Sequence, residues 1–160
     1  MRRIARLLRA MRPDEIDRAA TVSRRPEALV RPDRSAGGDR TWSRRIRATL
    51  DSGTEARWFL GQVLGHRHEE AAFDLAALLI TEIASNAARH GSPRFGSPID
   101  LTITELDAAV RVTVRDRGGG FDPRYELANS PGWGIRLVEA LARRWGVEPG
   151  RDGTEVWFEV

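Results

Sequence analysis

Cysteine is absent from the 160 residues, which excludes disulfides, thiolate metal ligands and a thiol nucleophile. That fits a reducing compartment. Lysine is absent too, so all 26 basic side chains are Arg. A Walker-type P-loop and a protein-kinase nucleotide site each need a Lys, so any nucleotide site here must be of another kind. No run is expected to reach the roughly 18–20 apolar residues of a membrane span, and the N-terminus lacks the apolar core of a secretory signal. The expectation is a cytoplasmic chain with no membrane contact. His66 and His68 stand two residues apart with no further ligand nearby, a poor start for a metal site.

Charge is distributed unevenly. Residues 1–50 hold 14 Arg against 6 acids, while residues 51–160 hold 12 Arg against 17 acids. A basic tail can touch nucleic acid or an acidic partner. No helix-turn-helix signal accompanies it, so no direct nucleic-acid contact is expected and a solvated extension is the simpler reading. Ile4, Leu7, Leu8 and Met11 share one face of a short helix at the tip. Residues 13–40 carry Pro13, Pro26, Pro32 and Gly37-Gly38 with little periodicity. The expected division is a disordered basic extension over 1–40 and one folded domain over 41–160.

Ile46, Ala48 and Leu50 alternate with polar residues, as in a half-buried strand. Asp51 to Thr54 caps a helix over 54–65, and Asp74 to Gly91 reads as a second, central helix. Strands over Ile99 to Glu105 and Ala109 to Arg115 form a hairpin. A helix opens at Gly132-Trp133-Gly134, and a last hairpin pairs Trp145 to Pro149 with Thr154 to Val160. The order is strand, helix, helix, strand, strand, helix, strand, strand. Its hairpins argue against a doubly wound parallel sheet. The predicted fold is α+β, a two-layer sandwich with a mixed, mainly antiparallel sheet and helices on one face.

The central helix carries the first candidate residues. Leu75, Leu78 and Leu79 define an apolar stripe, and Glu82, Asn86 and His90 continue it at successive i+4 steps. A carboxylate and an amide facing inward need partners from the fold or from a ligand. An Asn oxygen is a hard ligand suited to Mg²⁺, and a carboxylate beside that ion could take a proton. The plainer alternative is a polar pair capping neighbouring loops.

Further along, Asp116, Gly118 and Gly120 follow a buried strand. Glycines there let a flat ligand approach the main chain, and the carboxylate could accept from an exocyclic amine. Adenine offers that donor where guanine offers a carbonyl. Gly132 and Gly134 open a helix whose first amides attract phosphate. Gly153-Thr154 begins the last strand. Singly, each has an ordinary explanation as a turn, a cap or a strand residue.

The ordered set is more specific. Glu-x-x-x-Asn-Ala-x-x-His-Gly over Glu82 to Gly91, Asp-x-Gly-x-Gly over Asp116 to Gly120, Gly-x-Gly over Gly132 to Gly134, and Gly-Thr together resemble the GHKL ATPase superfamily. Its Bergerat nucleotide fold is shared by gyrase, Hsp90, histidine kinases and MutL. Within it, EIASNAARHG with a short lid looks most like the bacterial anti-sigma-factor serine kinases. The resemblance covers about residues 41–160 and implies ATP and Mg²⁺ as cofactors. It implies Asn86 as metal ligand, Glu82 as general base, Asp116 as reader of the adenine amine and Thr154 as its support. Gly118 and Gly120 would shape the pocket. Gly132 and Gly134 would hold phosphates under a lid over 121–131, with Trp133 and His90 among the nucleotide-binding residues. The implied partners are an anti-anti-sigma protein of STAS type, a sigma factor, and a second copy in a homodimer. One departure stands out: Ser130, Pro131 and Trp133 occupy the place where family lids often carry an Arg.

Overall fold

The computed structural model describes residues 33–34, 39–65, 70–91, 96–118, 134–150 and 153–160. The elements are β1 (Asp33–Arg34), β2 (Arg40–Arg47), α1 (Ser52–Leu64), α2 (Glu70–Asn86), a π-helical turn (Ala87–Gly91), β3 (Pro98–Leu106), β4 (Ala109–Arg115), α3 (Gly134–Leu141), β5 (Arg144–Gly150) and β6 (Gly153–Glu159). The predicted order stands, with β1 added. Asp33 lies opposite Thr41 and Arg34 opposite Arg40, so two residues of the expected extension belong to the sheet. The rest of that extension, apart from Asp39 and Arg40, lies outside the described residues.

The strands form one sheet in the order β1-β2-β3-β4-β6-β5, antiparallel at every pairing. Strand alternation builds its two faces. In β3, Ile99, Leu101 and Ile103 are buried while Asp100, Thr102 and Thr104 are half-buried. Register sets Leu101 beside Val114 and Val112 beside Phe158. This inner face meets Phe59, Leu60 and Val63 of α1, Leu79, Ile80 and Ile83 of α2, and Ile135 and Val138 of α3 in one core. The outer face carries polar cross-strand pairs, among them Ser43 with Thr102 at 3.2 Å and Arg45 with Asp100 at 2.6 Å.

Three expectations change. β2 stops at Arg47, and Leu50 is 86% exposed instead of lying on a buried face. Ser52 Oγ accepts from the Thr49 N–H at 2.9 Å and lies within hydrogen-bond reach of the Arg47 and Thr49 carbonyls. That closes a turn which carries Leu50 outward and starts α1 at Ser52. The segment Ala71–Gly91 does reach the length and hydropathy of a membrane span, with mean hydropathy 1.3. It is the central helix of the core, with Ala76, Ala77, Leu79, Ile80, Ile83, Ala84 and Ala87 buried in the core cluster. Finally, α2 is buried over a wider arc than the expected stripe. Ala76, Ala77, Leu79, Ile80, Ile83 and Ala84 are buried, while Leu75, Leu78, Glu82 and Asn86 are half-buried along its flank.

α1 and α2 cross closely at Gly53. A Cβ there would lie 2.5 Å from Ser85 Oγ and 2.9 Å from the Thr81 carbonyl oxygen. The crossing fixes where the second half of α2, with Glu82 and Asn86, sits over the sheet.

Candidate functional site

β4 hands the chain to Asp116, whose backbone N–H donates to the Thr154 carbonyl at 3.0 Å. Its side chain is folded back. Oδ1 accepts from the Gly118 N–H at 2.8 Å and the Thr154 N–H at 3.3 Å. The residue is 6% exposed. Burial pushes its pKa above the ordinary carboxylate value, and the two backbone amides pull the other way. Oδ2 lies against Gly91, where a Cβ would collide with the carboxylate. Gly118 lies against the Gly91 carbonyl in the same way. Gly153, at φ +141°, runs against the Asp116 carbonyl. Only glycine allows three backbone segments to close on one buried acid.

A second cluster lies at the far end of the same turn of helix. Gly134, the first residue of α3, meets the Asn86 side-chain amide, and a Cβ on it would lie 3.5 Å from Glu82 Cβ. The first amides of α3, which find no partner within the helix itself, therefore begin beside Glu82 and Asn86. Asn86 Oδ1 accepts from Arg89 Nη2 at 2.8 Å. The π-helical turn links the clusters, since Asn86 precedes it and Gly91 ends it against Asp116. Turns of this kind recur at functional sites. Its wider winding takes His90 off the α-helical stripe and leaves it exposed.

Of the residues singled out by the sequence, Glu82, Asn86 and Gly134 stand together, as do Asp116, Gly118 and Thr154. Gly120, Gly132, Trp133 and the lid over 121–131 lie outside the described residues. Sequence reasoning missed two contributors. Gly91 enters the sequence reading as a helix stop and as the last residue of the Glu82 to Gly91 motif, with no role of its own, yet it is the floor beneath Asp116. Arg89 is legible only as one Arg among many, yet it holds Asn86. Among the described residues no group of three or more His, Cys, Asp or Glu could hold a metal. A single amide oxygen already accepting from a cation fits Mg²⁺ that arrives on phosphates and keeps its waters. It does not fit an ion caged by protein.

An antiparallel sheet with three helices on one face, and a buried acid clasped by glycine backbone at a strand end, define an α+β fold of Bergerat type. The chain belongs to the histidine kinase-like ATPase domain family, whose description matches residues 46–160. No curated protein matches it. Among solved structures it is similar to the RsbU and RsbW domains of Rv1364c from Mycobacterium tuberculosis, at 23% identity and TM-score 0.55 over 73% of this chain and 31% of that one. It is also similar to the Erythrobacter litoralis EL346 blue-light activated histidine kinase, at 21% identity and TM-score 0.52 over 66% of this chain and 39% of that one. The chain thus spans about a third of the length of these structures, and at such identity the likeness is one of fold.

Proposed function

We propose that the protein binds Mg-ATP and acts as an anti-sigma-factor-type regulator in the cytoplasm, phosphorylating a serine of an anti-anti-sigma partner of STAS type. The observation that carries the nucleotide reading is the Asp116 clasp. Two backbone amides hold Oδ1, and Oδ2 fills the space that a side chain at residue 91 would take, so the carboxylate is fixed at the end of β4 with its second oxygen outside those two hydrogen bonds. A carboxylate oxygen so held suits the adenine amine and opposes the guanine carbonyl.

In this reading Asn86 Oδ1 would hold Mg²⁺, which would supply charge neutralisation on the phosphate oxygens. Gly134 and the opening of α3 receive the phosphates. Glu82 takes the proton of the partner's serine hydroxyl as its oxygen bonds the γ-phosphorus. The bond from that phosphorus to the β-phosphate oxygen breaks, leaving phosphoserine and ADP. The second reading is an ATP-binding switch that recognises its partner without phosphorylating it. The absence of Arg from Ser130 to Gly134 favours it, because transfer depends on charge set against the phosphate oxygens.

Incubation with γ-labelled ATP, Mg²⁺ and a STAS-type protein separates the readings. Label on a partner serine, lost in Glu82→Ala while ATP binding persists, supports the kinase. ATP-dependent partner binding without label supports the switch. Equal ATP and GTP affinity would overturn the assignment of Asp116.

A further inference from the structure

The oxygen assigned to the metal is already engaged. Arg89 Nη2 donates to Asn86 Oδ1 at 2.8 Å, from one turn further along the same helical segment. The donor of this contact carries a full charge, and exposure to solvent keeps the contact modest in strength. Asn86 is half-buried and its amide nitrogen is pressed against Gly134. The side chain therefore presents its oxygen away from α3, toward Arg89. Arg89 itself is exposed to solvent.

An amide oxygen has two lone pairs, but a guanidinium and a divalent ion at the same oxygen repel each other at close range. Resting on the nucleotide reading above, we infer that Arg89 is a positioning residue, an internal cation that holds the metal-ligating oxygen of Asn86 in the nucleotide-free protein. Mg²⁺ reaches that oxygen only as the guanidinium leaves it. Arg89 then does two opposed things. It keeps the Asn86 amide oriented, with nitrogen toward Gly134 and oxygen toward the metal position. It also raises the Mg²⁺ concentration at which the metal strengthens ATP binding. A cation that must be displaced makes metal loading and nucleotide loading one event, because phosphates supply the negative charge that two neighbouring cations require.

The test is isothermal calorimetry of ATP binding across a Mg²⁺ series, with the parent, Arg89→Gln and Arg89→Lys. Arg89→Gln should reach half of its Mg²⁺-dependent gain in affinity at a Mg²⁺ concentration about three- to tenfold lower than the parent, the range of one modest hydrogen bond. Arg89→Lys retains the charge and should stay near the parent. ATP affinity in EDTA should be equal in all three. Parent-like Mg²⁺ dependence in Arg89→Gln would overturn this inference while leaving the nucleotide reading intact. A fall in EDTA affinity in Arg89→Gln would also overturn it, because Arg89 would then act on the nucleotide itself. A parent that binds no ATP with or without Mg²⁺ would overturn the nucleotide reading and this inference with it. The same series in Asn86→Ala should show no effect of Arg89→Gln, since the oxygen both cations share is gone.

Discussion

Asp116 bears opposing demands on one side chain. Burial disfavours its charged form, and its carboxyl is raised above the ordinary value. Between the ordinary carboxylate pKa and that raised value the folded protein binds more protons than the unfolded chain. This group therefore favours folding below that window, and its contribution falls as pH rises through it. Asp116→Asn retains an oxygen to accept from Gly118 and Thr154 and removes the buried charge. Its unfolding midpoint at neutral pH should match or exceed that of the parent, and the fall across the window should flatten. ATP affinity should drop by about 1.5–3 kcal/mol, the cost of a charge-assisted hydrogen bond. Thermal unfolding against pH, paired with calorimetry, checks both. A less stable variant at neutral pH would mean that the carboxylate charge supports the fold. Gly91→Ala tests the other side of the contact. Its Cβ must displace the Asp116 carboxylate, so a loss of about 1–3 kcal/mol in stability is expected, together with weaker ATP binding.

At the level of elements, two glycines of α1 should respond with opposite signs. Gly53 faces Ser85 and the Thr81 carbonyl on α2 with no space for a methyl group, whereas the nearest atom to a Cβ at Gly61 is Phe73 Cζ at 3.9 Å. Gly61→Ala should stabilise by about 0.4–1 kcal/mol through reduced chain entropy in the unfolded state. Gly53→Ala should destabilise by about 1–3 kcal/mol, because the helices must part. Denaturant midpoints with unchanged slopes decide it. The existence of α1, α2 and the two hairpins was legible because their apolar periods are strong. The ends were not. The turn closed by Ser52 Oγ at Thr49 starts α1 early, and nothing in an apolar period records a hydroxyl that substitutes for a backbone partner.

Across the whole molecule, the sheet edge decides where the folded unit begins. Asp33–Arg34 pairs with β2, and Arg40 forms an ion pair with Glu105, a carboxylate 8% exposed. Deleting residues 1–32 should leave the unfolding midpoint and ATP affinity unchanged, in line with their Arg excess and weak apolar period. Deleting 1–40 removes β1 and takes the guanidinium from a buried acid, so its midpoint should be lower. Equal midpoints for the two truncations would show that the edge strand adds nothing.

The order of elements and the antiparallel hairpins followed from the chain alone, because alternation at period 2 and burial at period 3.6 are local patterns. So did the candidate set of Glu82, Asn86, Asp116, Gly118 and Thr154, because residue types at fixed spacings are visible without coordinates. Tertiary structure decided which of them meet. Asp116 and Thr154 face each other only because β6 pairs with β4 in one register, Glu155 opposite Arg115. Gly91 lies beneath Asp116 only because α2 ends in a π-helical turn, a departure of one residue per turn that no helical period predicts. Contacts of this kind join positions far apart in the chain, and their geometry is set by packing across the whole core, which no local pattern of residues encodes.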